Sequence, residues 1–387
     1  MKISNENSLP EKFEEFGEKR RQGFLTVKEF KDRGENVVGT FCTYTPKEVI
    51  YAANAYPISL CSVSEETIPA AEKHLPKNLC PLVKASYGFA LTDKCPYMYF
   101  ADMVVGETTC DGKKKMYELL GKIKDTHVME LPQTQDGDKA IDLWKNEIKR
   151  LIKKLEDKFN VEVTEERLKE SIKSCNEDRR LLKEFHELGK IKPSIISGFE
   201  IFTVLNGSNY TFDREKMRKN VRELIEDLKK KQTENNTKYT KATPRILVTG
   251  CPIGGVAEKV IKSIEDSGAV VVALENCQGY KELHEEVDET IDPIEAIAKK
   301  YLNIPCSVMT PNNGRKELLK DMVDEYKVDG VVDVVLQACH TYSIESYTVK
   351  RFLTKERDIP YIALETDYST GDTGQLKTRI EAFIEML

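Results

Sequence analysis

The chain has 387 residues, of which 40% are hydrophobic and 32% charged, and its formal net charge at pH 7 is -6. This negative charge argues against a general nucleic-acid surface. No apolar run reaches the roughly 18 residues that a membrane span requires, and the highly charged residues 1–20 lack the apolar centre of a secretory signal. Length and composition therefore predict two or three globular domains without nucleic-acid or membrane partners.

Ten cysteines are the unusual feature of this composition. Disulfides are disfavoured because they are typical of small secreted domains, whereas this chain has ample apolar residues for a core. No CxxC spacing occurs, so neither a zinc ribbon nor a ferredoxin-type loop is predicted. Two interpretations stay open: a metal or iron–sulfur site assembled from distant loops, or buried thiols with one reactive cysteine.

Residues 1–134 alternate short apolar runs with helical patterns and form the first predicted domain. Strands are predicted at 36–41, 57–60, 103–105 and 126–131, and strand–helix alternation of this kind indicates a parallel, doubly wound sheet. Cys42, Cys61 and Cys110 each follow a strand. Cys110 also precedes a helix, whose N-terminal partial positive charge favours the thiolate. Ligands bind at this carboxyl edge in open α/β sheets.

Residues 135–240 form a predicted helical segment. Apolar residues recur at helical spacing in a highly charged background, which predicts three or four amphipathic helices with solvated outer faces. Cys175 lies in the middle of one of them and is interpreted as an incidental thiol. Residues 235–238 and Pro244 form a polar connector.

Residues 241–387 form a second predicted α/β domain with strands at 245–250, 269–274, 330–336 and 359–365. Three of the four strands end at a cysteine, namely Cys251, Cys277 or Cys339. Cysteines that served only as buried core residues would lie inside strands and helices as often as at one edge of the sheet. Their coincidence with strand ends therefore favours a cluster of thiolates.

Other motifs are weaker. The sequence from Gly250 to Gly255 lacks the Gly-Lys-Ser/Thr ending of a P-loop and does not match GxGxxG, so a tight strand-to-helix turn is favoured over nucleotide binding. His340 is the only histidine at a predicted strand end. There it could donate a proton in catalysis or form a hydrogen bond with the backbone. No GxSxG elbow or Ser/His/Asp order supports acyl-transfer chemistry.

Several longer runs resemble the 2-hydroxyacyl-CoA dehydratase family. They are Phe41-Cys42-Thr43-Tyr44-Thr45-Pro46-Lys47-Glu48, Ala52-Ala53-Asn54-Ala55-Tyr56-Pro57, Leu79-Cys80-Pro81 and Thr109-Cys110-Asp111-Gly112. Four further features resemble its double-cubane cluster branch: Gly88 within Ala85-Ser86-Tyr87-Gly88, the run from Gly106 to Glu118, Gly250-Cys251-Pro252-Ile253-Gly254-Gly255, and Leu336-Gln337-Ala338-Cys339-His340-Thr341-Tyr342. The similarity covers almost the whole chain.

The resemblance implies two Rossmann- or flavodoxin-like, doubly wound parallel-sheet domains with an iron–sulfur cluster in the cleft between them. The positions that match the family's [4Fe-4S] ligands are Cys80, Cys110 and Cys339. For a second cubane, joined through sulfide in an [8Fe-9S] double cubane, the strand-end cysteines Cys42, Cys251 and Cys277 are chosen. Cys61 is held in reserve, and Cys95 and Cys306 rank lower. His340 and Tyr87 are the candidate catalytic residues, and Lys84, Ser86 and Tyr342 are further hydrogen-bond donors near the cluster.

The family's mechanism implies a separate iron–sulfur activator protein that hydrolyses ATP and delivers a low-potential electron. Three functions remain open: a reductase of small molecules at a double cubane, a 2-hydroxyacyl-CoA dehydratase acting through a ketyl radical at one [4Fe-4S] cluster, and a non-catalytic iron–sulfur carrier. A chain with ligands for both cubanes could work as a homodimer. Oxygen-sensitive chemistry in the cytoplasm of an anaerobe is the expected setting.

Overall fold

The computed structural model describes residues 9–11, 13–234 and 237–387. Asn235 and Asn236 of the predicted connector, and the first eight residues, lie outside this range. The chain forms two compact units. Unit 1 comprises Met1–Cys175 and Val287–Asn303, and unit 2 comprises Asn176–Glu286 and Ile304–Leu387. In the described part of the chain, no helix is both long enough and apolar enough to cross a membrane.

Unit 1 is built on a parallel four-stranded sheet with the order β2-β1-β3-β4. Its strands are β1 (Asn36–Thr40), β2 (Ala55–Ser59), β3 (Met103–Glu107) and β4 (Thr126–Met129). All five residues of β3 are buried, as expected for a strand covered on both faces. The helices of this unit are α1 (Glu18–Asp32), α2 (Lys47–Ala52), α3 (Ile68–Ala71), α4 (Pro81–Thr92), α5 (Pro96–Phe100), α6 (Asp111–Leu120), α7 (Asp138–Phe159) and α13 (Pro293–Leu302).

Unit 2 repeats this topology in a second parallel sheet with the order β6-β5-β7-β8. Its strands are β5 (Arg245–Gly250), β6 (Val270–Leu274), β7 (Gly330–Leu336) and β8 (Tyr361–Thr366). The strands β5, β6 and β7 are buried along their whole length, and β5 and β7 lie at the centre of the sheet. The helices are α9 (Gly198–Ser208), α10 (Arg214–Thr233), α11 (Ser263–Asp266), α12 (Tyr280–Leu283), α14 (Asn313–Tyr326), α15 (His340–Arg351) and α16 (Thr373–Ile384). The helix α8 (Glu165–Glu187) runs from unit 1 into unit 2.

In both sheets the direction of the strand order reverses between the strands that come first and third along the chain. In unit 1 these are β1 and β3, and in unit 2 they are β5 and β7. Loops that leave the carboxyl ends of such strands diverge, which opens a crevice where ligands bind in α/β proteins. The α/β prediction of two doubly wound parallel sheets is therefore confirmed, and each sheet has one such crevice.

The helices α7 to α10 separate the two sheets in the sequence. Trp144 on α7 is completely buried. Ile148, Leu151 and Leu155, which lie one, two and three turns further along the same face, are also completely buried. The helix α13, which lies in the crossover between β6 and β7, packs on α7. For this reason Val287–Asn303 belongs to unit 1, although the surrounding chain belongs to unit 2.

Candidate functional site

Cys42 and Cys110 lie at the crevice of unit 1. Cys42 comes two residues after the end of β1, and Cys110 comes three residues after the end of β3. Cys110 is also the N-cap of α6, and its Sγ accepts a hydrogen bond from the Lys113 amide over 3.5 Å. The Cys110 sulfur therefore faces the first backbone amides of α6.

Cys80 is brought to the same region through its helix. It is the N-cap of α4, which packs against α6. At Gly112, in the first turn of α6, an added Cβ would lie 3.1 Å from Leu79 Cδ1 and 4.0 Å from Cys110 Sγ. The two cysteine-capped helix N-termini are therefore neighbours, and the absence of a side chain at Gly112 permits this approach.

Cys61 lies beside the Cys42 segment. Its Sγ donates a hydrogen bond of 2.9 Å to the carbonyl oxygen of Phe41, which also accepts a 2.8 Å bond from Lys113 Nζ. Burial raises the pKa of the Cys61 thiol, and the Lys113 ammonium acts in the opposite direction. Burial alone would lower the pKa of Lys113, but Tyr117, Cys42, Cys61 and Glu107 together hold it well above its ordinary value. Lys113 is thus a buried cation beside two cysteines.

Glu107 completes this buried polar group. It is fully buried at the end of β3, and the Thr45 hydroxyl donates to its Oε1. Its Oε2 has no hydrogen-bond partner among the described residues, and neither does the hydroxyl of buried Tyr117. Burial raises the pKa of Glu107 to about 7, although the Thr45 hydrogen bond and Lys113 act to lower it. Sequence reasoning missed Glu107, Lys113 and Tyr117.

Cys251 occupies the crevice of unit 2. Its amide donates to the Val334 carbonyl over 2.8 Å, and its Sγ accepts a 3.3 Å hydrogen bond from the Leu336 amide. Cys251 is completely buried, and these two hydrogen bonds hold it against β7 at the end of β5. The preceding Gly250 has φ +104°, a backbone conformation that other residues rarely adopt.

Cys339 follows β7 and is the N-cap of α15, with its Sγ 3.9 Å from Thr341 Oγ1. It comes three residues after its strand, as Cys110 does in unit 1. His340 is the exposed first residue of α15. The predicted strand-to-helix junction at Cys110 is therefore confirmed, and Cys339 follows the predicted end of its strand.

Cys277 and Cys306 lie near the same charged group in unit 2. Both act on the pKa of Lys281, which is completely buried. Burial lowers this pKa, but Glu275, Cys277 and Cys306 act in the opposite direction, and the pKa lies above its ordinary value. Cys306 is buried, and its Sγ lies 3.8 Å from the Tyr342 hydroxyl. Cys306, which ranked low in the sequence, thus has a buried polar environment like that of Cys61.

The other predicted donors on α4 are engaged within unit 1. The hydroxyl of buried Tyr87 lies 2.8 Å from His74 Nδ1. Lys84 Nζ forms a 2.9 Å ion pair with Glu72, and Ser86 Oγ accepts a hydrogen bond from the Ser62 amide. These contacts tie α4 to the chain between β2 and α4.

None of the ten cysteines, all of which lie within the described residues, forms a disulfide. Cys95 is the N-cap of α5. Cys175 lies within α8, as the sequence predicted, and is buried. Among the described residues, no group of three or more His, Cys, Asp or Glu side chains is gathered so that it could hold a metal ion. The donor chemistry nevertheless fits a soft metal cluster: thiols at helix N-termini and strand ends, accompanied by buried cations.

The comparisons with known proteins identify the family. Residues 42–387 match the family described as HGD-D, the 2-hydroxyglutaryl-CoA dehydratase D-component. The chain belongs to this family. The resemblance to 2-hydroxyacyl-CoA dehydratases seen in the sequence is therefore confirmed.

Several relatives align with the chain over nearly its full length. The chain is 51% identical to a protein of Escherichia coli K12 named "Putative dehydratase subunit YjiM", over 98% of both chains. It is 23% identical to the (R)-phenyllactyl-CoA dehydratase beta subunit of Clostridium sporogenes, over 93% of this chain and 94% of that protein. It is also 24% identical to one of the benzoyl-CoA reductase subunits of Thauera aromatica, over 92% of this chain and 90% of that protein.

Proposed function

We propose that this chain is the iron–sulfur component of a reductase that receives low-potential electrons from an ATP-hydrolysing activator and reduces a small substrate. The observation that carries this proposal is that each sheet has a cysteine within three residues of the end of each of the two strands at its crevice. In unit 1 these are Cys42 and Cys110, and in unit 2 they are Cys251 and Cys339. Similarity to a subunit of benzoyl-CoA reductase supports reductive chemistry.

The proposed cofactor is an [8Fe-9S] double cubane. Cys80, Cys110 and Cys339 would hold one cubane, and Cys42, Cys251 and Cys277 the other. When bound, such a cluster supplies one-electron transfer at low potential. Cys80, Cys110 and Cys339 are each the N-cap of a helix, which supports their choice as ligands of one cubane.

His340 and Tyr87 are the proposed proton carriers. His340 is exposed, so it can exchange a proton with solvent one residue from Cys339. Tyr87 is buried and reaches the His74 ring through its hydroxyl. Reduction of an organic substrate requires protons as well as electrons, and this is the role proposed for the His340 imidazole and the Tyr87 phenol.

The proposed protein partners are an iron–sulfur activator and a second copy of the chain. The turn after β5 lacks the Gly-Lys-Ser/Thr ending of a P-loop, which is consistent with ATP being hydrolysed by the activator. A single chain with six candidate ligand cysteines could hold both cubanes and therefore pair with itself.

A second candidate function is 2-hydroxyacyl-CoA dehydration through a ketyl radical at a single [4Fe-4S] cluster held by Cys80, Cys110 and Cys339. The names of the family and of the dehydratase relatives favour this alternative. A non-catalytic iron–sulfur carrier is the third candidate, and it would bind iron without turnover.

Iron and acid-labile sulfide per chain, measured on protein purified without oxygen, distinguish these functions. About eight irons with slightly more sulfide support the reductase, whereas about four irons favour the dehydratase. Absence of iron would contradict all three candidates. If the chain binds iron but turns over no substrate, by reduction or by dehydration, when supplied with activator, ATP and reductant, the carrier remains.

A further inference from the structure

Lys113 on α6 contacts two cysteine segments of unit 1 that the proposed function assigns to different cubanes. The Lys113 amide donates a 3.5 Å hydrogen bond to the Sγ of Cys110, the N-cap of α6. Lys113 Nζ donates a 2.8 Å hydrogen bond to the carbonyl oxygen of Phe41, the residue that precedes Cys42. Lys113 therefore bonds to the sulfur of one proposed ligand through its main chain and to the peptide group before another through its side chain.

The Phe41 carbonyl oxygen is held by two donors. The first is Lys113 Nζ, and the second is the Sγ of Cys61, which donates to the same oxygen over 2.9 Å. A carbonyl oxygen has two lone pairs, so its capacity to accept hydrogen bonds is used in full. Because a peptide group is planar, fixing the Phe41 oxygen also fixes the orientation of the Cys42 nitrogen and of the bond that leads to its Cα.

The side chain of Phe41 is held by the same helix. Tyr117 lies one turn after Lys113 on α6, and its ring centre lies 5.7 Å from that of Phe41. Phe41, Lys113 and Tyr117 are all buried. Because these groups are removed from water, solvent is poorly placed to replace the hydrogen bond from Lys113 if its side chain is removed. Two successive turns of α6 thus hold Phe41 at its carbonyl and at its ring.

The Lys113 ammonium is directed at a backbone carbonyl rather than at a carboxylate. Lys84 on α4, by contrast, forms an ion pair with Glu72. Burying a cation is costly, and a single hydrogen bond to a neutral carbonyl offsets only part of that cost. Retention of a charged residue in this position therefore indicates that the contact between α6 and the Cys42 segment has a role beyond general packing.

We propose that Lys113 is a positioning residue that holds the Cys42 segment against the helix capped by Cys110, and so fixes a ligand of one cubane relative to a ligand of the other. This inference rests on the proposed function, in which Cys110 and Cys42 belong to different cubanes. Groups that orient metal ligands contribute strongly to metal binding, and their loss typically weakens affinity by about 10–100-fold. Lys113 is not itself a ligand, because an ammonium and a backbone amide only donate hydrogen bonds.

The test uses the full chain purified without oxygen. Lys113→Met removes the Nζ donor and keeps the amide that contacts Cys110. Iron per chain should fall from about eight to about four, and the electron paramagnetic resonance spectrum of the reduced chain should become that of one isolated cubane. Lys113→Arg keeps both the charge and a donor, so it should retain most of the iron. Glu107, with a pKa of about 7, is able to take up a proton when the cation is removed, so Lys113→Met should still fold.

Lys124 provides a matched control in the same unit. Its Nζ also donates a 2.8 Å hydrogen bond to a backbone carbonyl, that of Tyr99, but it lies just before β4, at the edge of the sheet opposite to Cys42. Lys124→Met should lower stability and leave the iron content and the spectrum unchanged. A second readout uses the iron-free chain: iodoacetamide should alkylate Cys42 faster in Lys113→Met than in the wild type, as followed by mass spectrometry, whereas alkylation of Cys110 should be unchanged.

The outcomes separate this inference from the proposed function. Wild-type iron content, spectrum and Cys42 alkylation in Lys113→Met would overturn the inference and leave the function standing. Equal loss of iron in Lys124→Met would also overturn it, because the effect would then follow loss of stability. If Lys113→Met does not fold, Lys113→Gln, which is uncharged and one atom shorter, decides by the same measurements. About four irons or none in the wild-type chain would overturn the double cubane itself, and this inference with it.

Discussion

At the scale of single residues, the carboxyl edges of both sheets contain charges that are removed from water. Lys113 and Glu107 in unit 1, and Lys281, Glu275 and Arg315 in unit 2, are all buried. Burying an unpaired charge is costly, so such residues persist only where partners compensate them. Lys113 has the Phe41 carbonyl at 2.8 Å, and Lys281 has Glu275 at 3.1 Å. Both lysines therefore remain cations beside cysteines.

The raised pKa of Glu107 predicts a pH-dependent stability. Burial raises this pKa to about 7 from an ordinary value of 4.5, so the folded chain holds a proton that the unfolded chain releases at lower pH. The stabilisation is complete below the unfolded pKa and is lost as pH rises through the folded pKa. Between these values, unfolding free energy should fall by up to about 1.4 kcal/mol per pH unit from this group. Glu107→Gln should remove that dependence.

Urea unfolding of the wild type and of Glu107→Gln at a series of pH values spanning the unfolded and folded pKa of this carboxyl checks the prediction. The difference in stability between the two chains should grow with pH in favour of the glutamine variant and level off above the folded pKa. Glu118→Gln is the control, because Glu118 is exposed on α6 and pairs with Lys115 across an exposed surface. A wild-type curve parallel to that of Glu107→Gln would contradict the raised pKa.

At the scale of elements, the strands were predictable because their apolar runs are long enough and are bounded by turn residues. The prediction at 245–250 matches β5, and that at 330–336 matches β7. Lys113 and Lys281 were not predictable as buried cations. Lys113 lies in the charged helix α6, whose pattern is that of a solvated surface, and its burial depends on tertiary contact with Phe41.

Gly250 is an element boundary that the sequence identified only as a tight turn. Its φ is +104°, and an added Cβ would overlap the carbonyl oxygen of Val334 on the neighbouring strand. Both the backbone conformation and the contact therefore exclude a side chain. We expect Gly250→Ala to lower the unfolding free energy by about 2–4 kcal/mol and to disturb Cys251.

Thermal unfolding with Gly374→Ala as the control checks the Gly250 prediction. Gly374 lies in the first turn of α16, where an added Cβ would meet nothing within 4 Å. Alanine there should leave stability unchanged or increase it by about 0.5–1 kcal/mol, since it restricts the unfolded chain. Equal effects of the two substitutions would show that Gly250 is replaceable and that the turn can relax.

At the scale of the whole molecule, the same design occurs twice. Both sheets place their order reversal between the first and third strands, and in both a cysteine caps the helix after the third strand. The second strand in each sheet is followed by a further cysteine, Cys61 or Cys277, near a buried lysine. The sequence revealed the strand-end cysteines, but only the folded sheets show that they occupy corresponding positions.

This correspondence predicts how iron content responds to substitution across the chain. Serine at Cys80, Cys110 or Cys339 should lower iron by at least half, because each removes a ligand of the first proposed cubane. Serine at Cys42, Cys251 or Cys277 should do the same if a second cubane is present. Cys175→Ser is the control, since Cys175 is buried within α8 and belongs to no strand end.

Iron per chain, measured after anaerobic purification of each variant whose circular dichroism matches the wild type, decides between the proposed ligand sets. Loss of iron at all six positions supports a double cubane, whereas loss confined to Cys80, Cys110 and Cys339 supports a single cluster. The second cubane would instead be assigned to the cysteines beside Lys113 and Lys281 if iron is lost on substitution of Cys61 or Cys306 but retained on substitution of Cys42 or Cys251. That result would also place a ligand 3.8 Å from the Tyr342 hydroxyl, which accepts a hydrogen bond from Lys281.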